Sequence, residues 1–267
     1  VHSCLVDADR YDAYRFSAGE QHTSVEQPSM WADMISNLQH YTSQFPSGDE
    51  NKLNDIRSKI ASTCESFHDS PKGLYQLHVP TGGGKTLSAM QFSLRHAQKR
   101  DMKRVFYIAP FKVILEQNAE EYRKALGVPD YILEHHGDAL LSDGSDENTT
   151  NSELFAQRWE GAPIVLTTMV QMLNTLFSGK NSCVRRFHSL ANAIIIFDEV
   201  QSIPAKLVAM LNAACNFLVE CCGCTILLCT ATQPTLQSVS MPIRLSDPHR
   251  IIPSVLAGAD VFHRPKL

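Results

Sequence analysis

Val79-Pro80-Thr81-Gly82-Gly83-Gly84-Lys85-Thr86 lies between a β-rich run, Leu74–Val79, and a segment of helical period. Three consecutive glycines at such a junction let backbone N–H groups close around a phosphate, and the start of the following helix adds its positive dipole. In that setting Lys85 would reach the β- and γ-phosphates of a nucleoside triphosphate, and the Thr86 hydroxyl would ligate Mg²⁺. The pattern G-x-x-x-x-G-K-[ST] is met except at its first position, where Val79 stands. A strand, a phosphate-holding turn and a helix in this order form the opening unit of a layered α/β domain.

Working outward, the chain from Leu74 to Thr232 alternates β-rich and helical runs. Strands are expected at Leu74–Val79, Arg104–Ala109, Tyr131–His135, Pro163–Thr167, Ala193–Phe197 and Thr225–Cys229. Ile194-Ile195-Ile196-Phe197 has no polar alternation, so both of its faces must be covered, as in a mainly parallel sheet between helices. A helix is expected over Phe111–Leu126, stopped by Gly127 and Pro129, and another from Pro204 to Cys222, stopped by Gly223. Gly137–Asn151, rich in Asp, Ser, Asn and Thr, reads as a surface loop.

Upstream, Leu53, Ile56, Ile60, Cys64 and Phe67 recur at helical spacing. Ser3–Tyr14 and Ser29–Phe45 also read as helices, giving the α/β domain a helical N-terminal segment. The run Ser47-Gly48-Asp49-Glu50-Asn51 reads as a linker. Three regions are therefore expected: 1–47, the α/β domain over 48–245, and a linker over 246–267.

The 267 residues suffice for one large or two modest domains. Hydrophobic residues at 43% and charged residues at 19% exclude wholesale disorder. A formal net charge of −4 excludes a polycation, so any nucleic-acid contact must come from a local surface. The most apolar stretch, Phe217–Ala231, is interrupted by Glu220 and Gly223, and no membrane partner is expected. The sequence opens on Val1 without a secretory signal, and a piece of a longer protein would read the same way. Eight cysteines are too few for a disulfide scaffold, which points to a reducing cytoplasm. Cys221 to Cys224 includes a C-x-x-C, but no second pair completes a zinc site, and small buried hydrophobes explain it better.

Asp198-Glu199-Val200-Gln201 follows the apolar strand 193–197. In a doubly wound sheet ligands collect at the carboxyl ends of strands, so this acidic pair would face the glycine-rich turn. Asp198 would then hold Mg²⁺ and Glu199 would polarise an attacking water. Lys85, Asp198 and Glu199 are the candidate catalytic residues. Thr230-Ala231-Thr232 follows the next apolar strand.

These segments resemble motifs I, II and III of superfamily 2 helicases: Pro80–Thr86, Asp198–Gln201 and Thr230–Thr232. The proline-threonine form of motif I, without the first glycine, is usual there. The resemblance implies a RecA-like P-loop NTPase domain that binds ATP and Mg²⁺ through Thr81, Gly82, Gly83, Gly84, Lys85, Thr86 and Gln201. It also implies that Thr230 and Thr232 couple the nucleotide state to motion. Ile108-Ala109-Pro110 resembles motif Ia, and Thr167-Thr168-Met169 with Gln171 a following DNA-contacting motif. Pro110, Thr167 and Thr168 are thus candidate contacts to single-stranded DNA. Gln201 and the extension Gln233-Pro234 make the chain similar to the CRISPR-associated helicase–nuclease family of type I systems, over about Asn54 to Pro234.

In that family an HD nuclease domain precedes the helicase, with a divalent transition metal. Cys4-Leu5-Val6-Asp7-Ala8-Asp9-Arg10 is similar to its last helix, and Asp9 matches the final metal-binding carboxylate. The earlier histidines are not in the sequence, so this site is incomplete here. His68-Asp69 reads as a surface turn and His135-His136 as a strand end. The resemblance further implies a crRNA-guided surveillance complex as partner and a prokaryotic, cytoplasmic location. Nothing like the Q-x-x-G-R-x-x-R of a second motor domain is present, and the 267 residues alone are expected to hydrolyse ATP poorly. A generic superfamily 2 helicase or translocase, and a nucleotide-responsive binding module, remain the alternatives.

Overall fold

Ile194-Ile195-Ile196 and Ile226-Leu227-Leu228 are apolar at every position, and such strands are stable only with helices on both faces. In the computed structural model, which describes residues 1–18, 30–45, 52–80, 82–136, 159, 161–230 and 239–253, they are the inner strands of a parallel sheet. Its strands are β1 (Leu74–His78), β2 (Arg104–Ala109), β3 (Ile132–His135), β4 (Ile164–Thr168), β5 (Ala193–Phe197) and β6 (Thr225–Thr230). They lie in the order β1-β6-β5-β2-β4-β3, and every neighbouring pair is parallel. The helices are α1 (His2–Ala18), α2 (Met30–Ser43), α3 (Lys52–Ser66), α4 (Lys85–Arg100), α5 (Lys112–Leu126), α6 (Met169–Phe177), α7 (Asn181–Val184) and α8 (Ala205–Cys222). This is the RecA-like α/β architecture expected from the sequence, with each strand placed to within about a residue of its expected bounds.

The pleat sorts the core into two layers. Val105, Tyr107, Ile164, Leu166, Ile194, Ile196 and Leu227 join the inner faces of α2, α4 and α5. Phe106, Ile108, Val165, Ile195, Phe197, Ile226 and Leu228 meet α6, α8 and Trp159 on the other side. Each fully buried Ile, Leu or Phe contributes about 1.5–3 kcal/mol. Gly127 and Gly223 end α5 and α8 at φ of 64° and 65°, a left-handed conformation that disfavours residues with a Cβ. By length and mean hydropathy, 1.4, α8 is apolar enough to cross a membrane, yet Leu211, Cys215 and Leu218 bury against the sheet.

Packing departs from the expected regions at both ends. Met30, Met34, Ile35 and Leu38 of α2 lie in the same core as α4 and α5. Trp31 Nε1 donates to Met102 O (3.2 Å) and Asn37 Nδ2 to Leu126 O (2.7 Å). α2 thus packs in one core with α4 and α5. Downstream, residues 246–251, where a linker was expected to begin, line the outer edge of β1. Ser246 N donates to Leu74 O (3.0 Å), Gln76 N to His249 O (2.7 Å) and Ile251 N to Gln76 O (3.0 Å). Ile251 and Ile252 are buried. This covers a strand edge that would otherwise leave backbone groups unpaired. The expected linker at 47–51 and the expected loop at 137–151 fall largely or wholly outside the described residues.

Candidate active site

Parallel strands send all their carboxyl ends to one edge of the sheet, so the turns after β1, β5 and β6 gather there. Gly82 (φ 84°) and Gly84 (φ 76°) occupy the left-handed region in the turn after β1, and Gly84 is the N-cap of α4. A Cβ at Gly82 would meet nothing within 4 Å, so its backbone conformation, rather than space, calls for glycine. Gly83 N donates to Pro80 O (3.0 Å), closing the turn. Lys85 is the first residue of α4, and Thr86 beside it is half-buried. Thr81 and Thr232 lie outside the described residues.

Lys85 Nζ is 3.0 Å from Asp198 Oδ1 and donates a short hydrogen bond to Glu199 Oε1. Burial alone would lower the ammonium pKa, but the two carboxylates outweigh it and hold Lys85 above the ordinary lysine value. Glu199 adopts a left-handed conformation (φ 48°, ψ 47°), strain of order 1 kcal/mol that non-glycine residues keep chiefly at functional sites. Gln201 Nε2 donates a short hydrogen bond to Glu199 Oε2, and Thr230 Oγ1 donates to Gln201 Oε1 (2.7 Å). Thr230 ends β6, and its carbonyl accepts from Val79 N (3.3 Å). Lys85, Asp198, Glu199, Gln201 and Thr230 thus form one connected network across the turns after β1, β5 and β6. The Asp198 and Glu199 carboxylate oxygens gathered here are the hard donors that Mg²⁺ prefers.

Three contributors carry no motif. Arg57 of α3 donates from Nε to Gly82 O (2.8 Å), bracing the glycine turn, and from Nη1 to Asn54 Oδ1 (3.0 Å). Tyr107 donates a short hydrogen bond to Asp198 Oδ2 and accepts one from Asn118 Nδ2 (2.6 Å). Burial, the neighbouring Tyr122 and Asp198 push the Tyr107 phenol well above its usual pKa, so it remains a donor. In sequence Arg57 is a polar residue on an amphipathic helix and Tyr107 a core-like residue in Arg-Val-Phe-Tyr-Ile-Ala. Only the fold gives them a partner.

The candidate nucleic-acid residues separate. Pro110 is half-buried at the end of β2. Thr168 caps α6, its Oγ1 accepting from Gln171 N (3.4 Å). Thr167, a candidate DNA contact, is fully buried, and its hydroxyl donates to His135 O (2.8 Å) on the neighbouring strand. His135 sits beneath Trp159 and Arg186, with Arg186 Nη1 2.7 Å from His135 Nε2 and its guanidinium over the Trp159 ring. Phe111, Val113 and Val170, just past the ends of β2 and β4, are large hydrophobic residues left exposed.

Asp9 is exposed on α1, whereas Asp7 is buried against Arg185. Among the described residues no group of His, Cys, Asp and Glu could hold a metal ion on its own. Cys221 is exposed, and Cys224 is buried with its thiol donating to Leu190 O (3.0 Å) and its pKa pushed by burial to about 12. That thiol stays protonated, as a small hydrophobe would require. His68-Asp69 lies in a 3₁₀ turn where Asp69 pairs with Lys99 (3.2 Å).

A parallel sheet with a glycine-rich turn after its edge strand, and an acidic pair after the strand two places inward, defines a RecA-like P-loop domain. The family profile of DEAD/DEAH box helicases matches residues 61–239, and the chain belongs to that family. It is 26% identical over 214 residues to the CRISPR-associated nuclease/helicase Cas3 of Haloferax volcanii, an alignment covering 70% of this chain and 23% of that protein. T. fusca Cas3 with AMPPNP shares the fold at a TM-score of 0.56 and 20% identity, over 75% of this chain and 22% of that one. T. fusca Cas3 in another crystal structure gives 0.55 and 16%, over 74% and 22%. The chain therefore spans less than a quarter of the length of these relatives.

Proposed function

We propose that this chain is the ATP-binding motor domain of an ATP-dependent translocase on single-stranded DNA, coupled to an HD nuclease in CRISPR defence. The observation that carries the motor reading is the meeting of Lys85 with Asp198 and Glu199 at the glycine turn. In the absence of polyphosphate the ammonium is neutralised by the two acids, and an incoming triphosphate competes for it. The amides of Thr81 to Lys85 would bind phosphate oxygens, and Lys85 would follow the γ-phosphate. Asp198 and Thr86 would hold Mg²⁺, which when bound neutralises charge on the phosphates. Glu199 would orient the attacking water. Gln201 and Thr230 would carry the nucleotide state from motif II to motif III. A cleft of about 350 Å³ between α2, α3 and α4, lined by Phe45, Asn54, Arg57, Gly84 and Leu87, offers room for the nucleoside.

The coupling to a nuclease rests on α1. Its Asp7 fastens the helix to this domain while Asp9 stays exposed, as a ligand completed by a preceding domain requires. The similarity to the Haloferax volcanii protein points the same way and suggests loading by a crRNA-guided surveillance complex. DNA contact at Pro110 and Thr168 would be mainly to phosphates and therefore salt-sensitive. Phosphate release by the full-length chain, with and without single-stranded DNA, tests the reading. Stimulation that fades with salt is expected. ATP hydrolysis indifferent to DNA at low salt would overturn the translocase.

A further inference from the structure

We propose that Tyr107, seated by Asn118, is a positioning residue that sets the orientation of Asp198 for the metal–nucleotide complex. The inference rests on the ATP-binding reading and adds a residue to it. Asp198 is buried, with 5% of its surface exposed, so each of its oxygens needs a partner. Oδ1 faces the glycine turn, 3.0 Å from Lys85 Nζ, and accepts from Glu199 N (3.0 Å). Oδ2 accepts from the Tyr107 hydroxyl, which lies behind it on β2, the strand beside β5. The phenol is itself held: Asn118 Nδ2 donates to Tyr107 Oη (2.6 Å), and the ring packs edge-on against Tyr122 (5.4 Å between centroids). With Oδ2 committed to a rigid donor, the carboxylate cannot rotate, and only Oδ1 is left toward the turn.

Asn118 and Tyr122 lie one turn apart on the buried face of α5. Tyr122 Oη donates to Thr86 O (3.2 Å), so the same helix face braces both the carboxylate and the start of α4. α5 begins at Lys112, two residues after Pro110. No catalytic contact is assigned to Tyr107; it acts through Asp198.

The test compares ATP affinity of the full-length chain in Mg²⁺ and in EDTA by titration calorimetry, with thermal melts alongside. Tyr107→Phe removes one oxygen and keeps the ring. Its affinity for ATP in Mg²⁺ should fall roughly tenfold, the size of one hydrogen bond to an ionised group, while affinity in EDTA stays unchanged. Mn²⁺, which binds such sites more tightly, should restore part of the loss. Asn118→Ala, leaving the phenol in place but unseated, should show a smaller loss of the same kind. Equal weakening in Mg²⁺ and EDTA, or no change in either, would overturn the role for both variants. Lys85→Ala separates the two claims: if that change leaves ATP affinity in EDTA intact, it is the phosphate-loop reading that fails.

Discussion

Asp7 of α1 and Arg185, just past α7, form a buried ion pair in which Nε and Nη2 lie 3.0 and 2.9 Å from the same carboxylate oxygen. His188 stands 3.8 Å from the other oxygen, and its backbone N donates to Ser3 Oγ (3.0 Å). α1 packs on α7 and the Phe187–Leu190 turn, so this polar cluster is a principal tie between the helix and the sheet domain. Removing one member takes from the other buried charge its ion-pair partner, at a cost of about 3–5 kcal/mol. In Arg185→Ala that cost should be relieved by undocking of α1. Amide exchange over residues 2–18 should quicken while β2 and β5 keep their protection. Unchanged exchange in α1 would remove the pair from any role in docking.

Lys85→Ala takes away the cation between two carboxylates. DNA-stimulated ATP hydrolysis by the full-length chain should drop about 10²–10³-fold, the usual loss when one preorganised donor to developing charge is deleted. Because Asp198 and Glu199 then face each other without a counter-charge, the domain should also melt earlier in the absence of nucleotide. Steady-state phosphate release and a melting curve check the two parts, and undiminished turnover would refute the role given to Lys85.

The sheet was legible because its strands are mostly apolar runs set between turn residues, such as Pro163 before β4 and Gly223 before β6. Leu74–His78 and Ala193–Phe197 fall where composition puts them. The glycine turn and the acidic pair were legible for a different reason: each is a local cluster whose chemistry shows within a few residues. What could not be read are distant contacts made by residues that carry no motif. Arg57 reaches Gly82 across 25 positions and Tyr107 reaches Asp198 across 91, and neither leaves a mark in its own neighbourhood. The burial of Thr167 could not be read either, because motif resemblance fixes a residue's position along a strand and not its exposure. Similarly, the sequence shows α2 only as a helix, and its anchoring through Trp31 and Asn37 on Met102 and Leu126 needs the fold.

Thr230 should matter for coupling more than for chemistry. Its hydroxyl donates to Gln201, which in turn holds Glu199. One neutral hydrogen bond contributes about 0.5–1.5 kcal/mol. Thr230→Ala should therefore lower ATP turnover only severalfold. Strand displacement should fall further, so that more ATP is consumed per base pair opened. Measuring both rates on one tailed duplex gives the ratio, and a proportional fall in the two would place Thr230 in the hydrolytic step instead.

Acid should weaken the fold through its buried imidazoles. His96 is fully buried, with Nδ1 2.9 Å from His68 O and Nε2 2.9 Å from Thr225 Oγ1. A carbonyl only accepts, so Nδ1 carries the proton and Nε2 accepts from the Thr225 hydroxyl; a second proton would force that bond to reverse. Burial, against the favourable His68 carbonyl, lowers the His96 pKa from 6.5 to about 4, and burial with Arg186 nearby lowers His135 to about 3. Between pH 6.5 and 4 the unfolded chain binds protons that the folded chain refuses. Stability is then complete above pH 6.5 and declines as pH falls, by about 2–3 kcal/mol for His96 alone at pH 4.5. His96→Asn, which keeps a donor for the His68 carbonyl but cannot titrate, should be less stable than the parent at pH 7.5 and should lose less on acidification. Urea denaturation at pH 7.5 and 4.5 reads the difference. A variant whose stability drops with acid as steeply as the parent's would show that His96 does not supply the slope.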